Sequence, residues 1–365
     1  MTVSATPAPQ LQPLALSELL DRAVRLYRNN FVTLLGIIAL VEIPLQFLSL
    51  VISLLTFGDT FSNITPGQQP TPEQVFTPGY FIGIASALVI GLLSLILVNG
   101  LATAAITRAI ADSYLGKSVG IFEAYERIGG LGFRLVGSIL LASLFGVVLF
   151  IWTIIPCVGW LSGPGMLVFY GSVVTPLIAP AIVLEGQTAS GAIRRAWDLT
   201  RRRFWWTIGF VLILFIFNQL VVTGPTSLAS FLLNLVFGSA TQASDPFMVF
   251  TVQTIVQSIV GLVFSLIYVP FQLVNITLMY FDLRVRTEGL DIAMLAGGLS
   301  DNSLDPTHVV AEAPRPESSR LVTMSEVGYF VLLTVIALVG YFALALVFAA
   351  LGLAIMGAGG GFPPR

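Results

Sequence analysis

The placement of charge along this chain leaves few folds open. Up to residue 286, Lys and Arg fall in four blocks: Arg22, Arg25 and Arg28; then Arg108, Lys117, Arg127 and Arg134; then Arg194, Arg195, Arg201, Arg202 and Arg203; then Arg284 and Arg286. Between one block and the next there is no Lys or Arg at all. Each of the three gaps has room for two helices of about 20 residues, the length that crosses a hydrocarbon core about 30 Å thick. Each gap therefore predicts a membrane hairpin. Composition agrees, since only 10% of the 365 residues are charged and 56% are apolar, whereas a soluble domain carries about 25% charged residues. A soluble globular fold is excluded.

The hairpins predict spans at roughly 31–56, 80–107, 135–157, 162–184, 205–236 and 248–281. The connections opposite the basic blocks, GDTFSNITPGQQPTPEQVFTPG, PCVGWLSGPG and SATQASDPF, contain no basic residue. Cytoplasmic loops retain Lys and Arg, so all four blocks and the N-terminus are expected in the cytoplasm. The segment MTVSATPAPQLQPLAL has no basic residue before its first apolar run and does not read as a cleaved secretory signal. A single cysteine, Cys157, cannot form an internal disulfide and reads as a packing residue. The polar, proline-containing stretch at 296–327 reads as a flexible cytoplasmic linker. Residues 328–357 read as a seventh span, with residues 1–13 and 358–365 as frayed termini and the C-terminus outside.

Three segments resemble one another: SELLDRAVRLYRNNF from Ser17, SVGIFEAYERIGGLGF from Ser118, and SGAIRRAWDLTRRRF from Ser190. Each has Ser six residues before an Ala (Ala23, Ala124, Ala196) and a Phe eight or nine residues after it (Phe31, Phe133, Phe204). Apolar residues recur at helical spacing, Leu20, Val24, Tyr27 and Phe31 in the first, Ile121, Tyr125 and Ile128 in the second, Ile193, Trp197 and Phe204 in the third. Each segment also places an acid four residues before an arginine: Asp21 and Arg25, Glu123 and Arg127, Asp198 and Arg202. A basic amphipathic helix directly before a span belongs at the cytoplasmic interface. The expected fold is all-α and integral to the membrane: residues 14–295 form a six-span bundle of three units, each an interfacial helix plus a hairpin, starting near 17, 118 and 190. The exits of the first and third hairpins echo each other, with LVN at 97–99 before Arg108 and LVN at 273–275 before Arg284.

The stretch PLIAPAIVLEGQTASGAIRRAWDLTRRRFWWTIGF at 176–210, with the opening LALSELLDRAVRLYRNNFVTLLG and the closing LVNITLMYFDLRVRTEGLDIAML, resembles the membrane domain associated with bacterial glycerophosphoryl diester phosphodiesterases and its stand-alone relatives. The resemblance covers about residues 14–295 and implies a six-helix core in a bacterial plasma membrane. It does not carry the hydrolytic activity across. That chemistry uses paired histidines and carboxylates around a metal in a barrel of roughly 200 residues or more. The only histidine here is His308, in the expected linker.

Glu42 lies near the middle of the first expected span and just before Pro44. A carboxyl at that depth is expected to face the bundle interior, either as a functional group or bonded to a carbonyl freed by the proline. Asn99, Asn218, Gln253, Gln257 and Asn275, with Gln219 and Gln272, place amides in the spans, suited to lining a polar path or to interhelical hydrogen bonds. Gly224-Pro225 predicts a break, with Ser227 to Gly238 as a separate short helix. Arg194, Arg195, Arg201, Arg202 and Arg203 are expected to set topology and to meet anionic headgroups or a partner protein, and Trp160, Trp205 and Trp206 fit an aromatic belt. No metal-ligand spacing, nucleophile triad or phosphate-cradling glycine loop occurs in the sequence, and there is no basic soluble domain for nucleic acid. No cofactor is expected. The sequence points to a non-catalytic membrane component that binds lipid or a partner, with a transporter or channel using Glu42 and the amides as the alternative.

Overall fold

The structure is a computed structural model that describes residues 13–62, 71, 76–114, 120–238, 246–292 and 323–359. The expected N-terminal segment up to residue 12, Lys117, Ser118, residues 293–322, which take in the expected linker from 296 to 322 with His308, and the tail from 360 lie outside the described residues. Among the described residues all regular structure is helical. Hydrocarbon offers no partners to backbone N–H and C=O groups, so a spanning segment must satisfy them internally. Six helices are long and apolar enough to cross a membrane: Phe31–Phe57, Pro78–Ser113, Ile121–Trp152, Val158–Glu185, Phe204–Phe237 and Phe247–Glu288. They coincide with the six spans expected from the gaps in the basic residues. The chain is a multi-pass membrane protein.

In chain order the helices are α1 (Leu16–Asn29), α2 (Phe31–Ser62), α3 (Pro78–Ser94), α4 (Thr103–Tyr114), α5 (Ile121–Ile128), α6 (Gly132–Trp152), α7 (Val158–Phe169), α8 (Ile178–Glu185), α9 (Ala189–Arg201), α10 (Phe204–Asn218), α11 (Gly224–Gly238), α12 (Pro246–Glu288) and α13 (Met324–Gly359). Wide π turns join α3 to α4 at Leu95–Ala102, follow α7 at Tyr170–Val174, and join α10 to α11 at Gln219–Thr223. The first two end on a threonine whose hydroxyl reaches back five residues, Thr103 Oγ1 to the Val98 carbonyl at 3.0 Å and Thr175 Oγ1 to the Tyr170 carbonyl at 2.9 Å. The hydroxyl thus occupies a carbonyl that the widened turn leaves displaced from the α-helical ladder. At Gly224-Pro225 the helix continues through a π turn, so the separate short helix expected there does not form.

The described residues fall into two compact units, one within 1–141 and 176–316, the other within 142–175 and 317–365. In the first unit, the core is made by the final turns of the three hairpin returns. Ala102, Ala104, Ala105 and Ile106 of the first, Leu177, Ala181 and Ile182 of the second, and Val274, Met279 and Tyr280 of the third are all fully or nearly fully buried. Helix α4 packs against both α8 and α12, and Thr107 and Thr277 share a buried hydrogen bond of 3.3 Å. In the second unit α13 packs on α7. Gly165 donates its N–H to Thr334 Oγ1 at 2.8 Å, and a Cβ at Gly165 would lie 2.0 Å from the Phe330 carbonyl oxygen. Only glycine permits that approach.

The alanine common to the three similar segments is where the helix of each segment meets the core: Ala23, Ala124 and Ala196 are each 0% exposed. A small side chain there lets the helix backbone approach its neighbour. In α5 and α9 the expected apolar stripes are turned inward, with Ile128, Trp197 and Phe204 buried. In α1 the buried pair is instead Leu19 and Ala23, while Val24 and Phe31, expected on the buried stripe, are 40% and 38% exposed. The true face sits one position earlier because α1 docks along α12, where the Tyr27 hydroxyl donates to the Ile267 carbonyl at 2.8 Å. Cys157 differs from its expectation too. It is exposed, at a positive φ of 64° in the turn before α7.

Candidate functional site

At the basic end of the first unit, each hairpin return finishes on an acid. Those acids organise the site. Asp112, on the last turn of α4, receives Arg127 Nη1 of α5 at 2.7 Å and lies 3.3 Å from Arg108 Nε one turn earlier. Arg127 also grips Glu123 at 2.6 Å, and Glu123 in turn accepts the Gly120 N–H that opens α5. This first clasp is partly exposed: the Asp112 side chain is 2% exposed and that of Arg127 33%.

Glu185 ends α8, and Gly186, in the left-handed region at φ 64°, terminates that helix. The Glu185 carboxylate takes Arg195 Nε of α9 at 2.9 Å, the Tyr280 hydroxyl, and lies 3.3 Å from Arg284 Nε. Arg284 also reaches Glu288 at 3.0 Å, and Arg195 bonds the same Glu288. The side chains of Glu185, Arg284 and Glu288 are all 0% exposed. Two glutamates face two arginines, so this second clasp is electrically neutral, the condition under which charges are tolerated away from water. Burial, the strongest influence on Arg195, pushes its guanidinium down. The hydrogen bond that Arg195 donates to Glu288 and the nearby charges, Glu185 among them, outweigh it and hold Arg195 above the ordinary arginine value.

The third clasp closes the circle. Asp282 of α12 accepts the N–H of Leu14 at 2.9 Å, Arg286 bonds Asp282 at 2.9 and 3.1 Å, and Arg286 also donates to the Leu14 carbonyl. Leu14 lies immediately before α1, across 268 residues of sequence. So the end of α4 clasps α5, the end of α8 clasps α9, and the end of α12 clasps the start of α1. The carboxylate of Asp282 sits at the start of α1, where the helix dipole favours negative charge. Arg134 adds a further tie, donating to the Gly186 carbonyl at 3.4 Å.

The residues singled out in the sequence fall differently. Glu42 is half-buried, and its side-chain bond is from Gln46 Nε2 at 3.4 Å, one turn along its own helix. Among the described residues Asn99, Asn218, Gln253 and Gln257 make no side-chain hydrogen bond. Asn99 is exposed and the other three are half-buried. Asn275 is fully buried and donates to the Phe271 carbonyl at 2.8 Å. Gln219 accepts from Thr223 at 3.0 Å. Of the arginines of the third block, Arg194 and Arg202 are exposed. Arg195 is enclosed in the second clasp. Asp198 pairs with Arg201, three residues on at 3.0 Å, and not with Arg202 as the four-residue spacing predicts. Arg203 lies over the Trp206 ring at 5.4 Å. Among the described residues no group of three or more His, Cys, Asp or Glu is placed to hold a metal.

The acids Asp112, Glu185, Asp282 and Glu288 escaped the sequence reading. One signal was present: LVN at 97–99 and at 273–275 is followed at one offset by Arg108 and Arg284, and each arginine is followed four residues later by an acid, Asp112 and Glu288. Both arginine–acid pairs form, at 3.3 and 3.0 Å. Against known families, residues 14–283 match the model described as "Domain of unknown function (DUF7847)". No curated protein and no solved structure matches.

Proposed function

The chain belongs to this DUF7847 family, which assigns no activity, and from its geometry we propose a non-catalytic scaffold of the bacterial plasma membrane that holds anionic lipid or a partner against a collar of three amphipathic helices. The N-terminus and the clasps lie on the cytoplasmic side, and α13 supplies a seventh span. One observation carries the reading. Arg25, Arg28, Arg194 and Arg202, on or at the ends of two of these helices, are all exposed and have no acid partner among the described residues, while Glu18 accepts the Ala15 N–H and Asp198 pairs with Arg201. Free guanidinium groups at the interface attract phosphates, each contributing about 1 kcal/mol near an anionic surface. The stand-alone membrane domain resembled in sequence is consistent with this role, and the relationship is part of the proposal. The transporter reading has no comparable support, because Glu42 bonds within its own helix and the amides do not join it.

The test is native mass spectrometry of the purified protein, counting retained phosphatidylglycerol against phosphatidylcholine. A variant with Arg25, Arg28, Arg194 and Arg202 all changed to Gln is expected to lose the preference for the anionic lipid. Unchanged retention at unchanged melting temperature contradicts the proposal.

A further inference from the structure

Arg203 is unlike the other arginines of its block. With Arg202 it forms the two-residue elbow between α9 and α10, its own backbone at φ −129° and ψ 46°, and sits immediately before the fifth candidate span, which begins at Phe204. Its guanidinium lies over Trp206. Trp206 is stacked on Phe210, with ring planes 11° apart and centroids 5.6 Å apart, and Phe210 is buried in the core. The cation is thereby held on a fixed platform. Its Nη1 is enclosed and has no hydrogen-bond partner among the described residues.

An enclosed guanidinium N–H without an acceptor is costly, and the cost is larger for a charged donor than for a neutral one. Water can supply an acceptor but not the missing charge. Arg202, next in sequence, is exposed with no acid partner among the described residues, and the nearby acid, Asp198, is held by Arg201. Two adjacent cations therefore stand uncompensated at the mouth of a membrane span. A fork of N–H groups matches the oxygens of a phosphate, and phosphate is the anion concentrated at that depth of a bilayer.

We propose that Arg203, with Arg202 and its Trp206 platform, forms a discrete binding position for the phosphate of an anionic phospholipid. This rests on the cytoplasmic-collar reading above, and adds to it a defined stoichiometric site in place of diffuse attraction.

The experiment measures phosphatidylglycerol affinity by native mass spectrometry, with sn-glycerol 3-phosphate and inorganic phosphate added as competitors. Arg203→Gln is expected to weaken binding of one lipid about tenfold or more, from loss of a charge-assisted bond. Trp206→Leu, which leaves every charge in place, is expected to weaken it about two- to five-fold by removing the cation–π platform. Arg134→Gln, on α6 and not one of the collar arginines, is expected to leave that lipid in place. Arg203→Lys, which keeps the charge and loses the fork, controls for folding and is expected to bind with intermediate affinity. Equal losses in the Arg203→Gln and Arg134→Gln variants overturn the discrete site while leaving the collar standing. Displacement of the lipid by millimolar inorganic phosphate assigns the position to a soluble anion and overturns the lipid assignment. Loss of anionic preference in none of these variants, nor in the fourfold arginine variant, removes the collar itself.

Discussion

The first and second clasps perform the same task, fastening an amphipathic helix to the end of the preceding hairpin, but one does so at the surface and the other in the dark. Asp112 and Arg127 meet where the arginine side chain is 33% exposed, so water solvates much of the charge. Glu185, Arg284 and Glu288 meet with none of it exposed. The difference teaches where the ring is brittle. A solvated pair contributes little and forgives mutation, whereas a buried neutral quartet is indifferent while whole and costly when one member goes. The second clasp also joins three elements, α8, α9 and α12, and so couples the second and third repeats through a single charge balance.

The largest effect is expected at that quartet. Arg284→Met leaves two buried glutamates facing one arginine and should destabilise the protein by about 3–5 kcal/mol, read as a large fall in the melting midpoint in detergent. The paired change Arg284→Met with Glu288→Leu restores neutrality and should recover much of the loss. If it recovers none, charge balance is not what holds this clasp. Next comes the third clasp: Asp282→Ala removes the acceptor for the Leu14 N–H and the partner of Arg286, with an expected cost of about 1–3 kcal/mol and earlier proteolysis around α1. Asp112→Ala at the first clasp should cost less, about 1 kcal/mol. Glu123→Gln should leave the melting midpoint unmoved, and only this pair should weaken on raising salt. A ranking in which Asp112→Ala exceeds Arg284→Met would break the comparison.

The second unit offers a parallel test of close packing. Gly165→Ala places a Cβ against the Phe330 carbonyl oxygen and should free α13 from α7, raising protease access to the C-terminal helix without moving the clasps.

Much of this was readable before any coordinates. The gaps between arginine blocks placed six spans because desolvating a guanidinium is costly enough to dominate every weaker preference. Ala23, Ala124 and Ala196 aligned the three segments in the sequence, but that each is the contact point of its helix is seen only in the packing, where all three are fully buried. The clasps were hidden for a physical reason. An acid beside a basic block reads as solvated charge, and nothing local says that Glu185 will meet Arg284, about a hundred residues away, in place of water. The π turn at Leu95–Ala102 was equally silent, having no proline to announce it. The face of α1 was misjudged by one position because apolar residues lie on both sides of Ala23, and the docking partner, α12, comes from the far end of the domain.

The central claim is that the three clasps close into a ring, with the end of α12 holding the start of α1. Tyr27 and Phe271 have ring centroids 5.8 Å apart across that closure. With Cys157 replaced by Ser, Tyr27→Cys and Phe271→Cys can be joined by a short bismaleimide in membranes, and the chain then cut at a protease site placed in the 115–119 connection. A closed ring predicts that the two fragments stay covalently linked on a denaturing gel. Complete separation of the fragments, with both cysteines shown to be reactive, would contradict it.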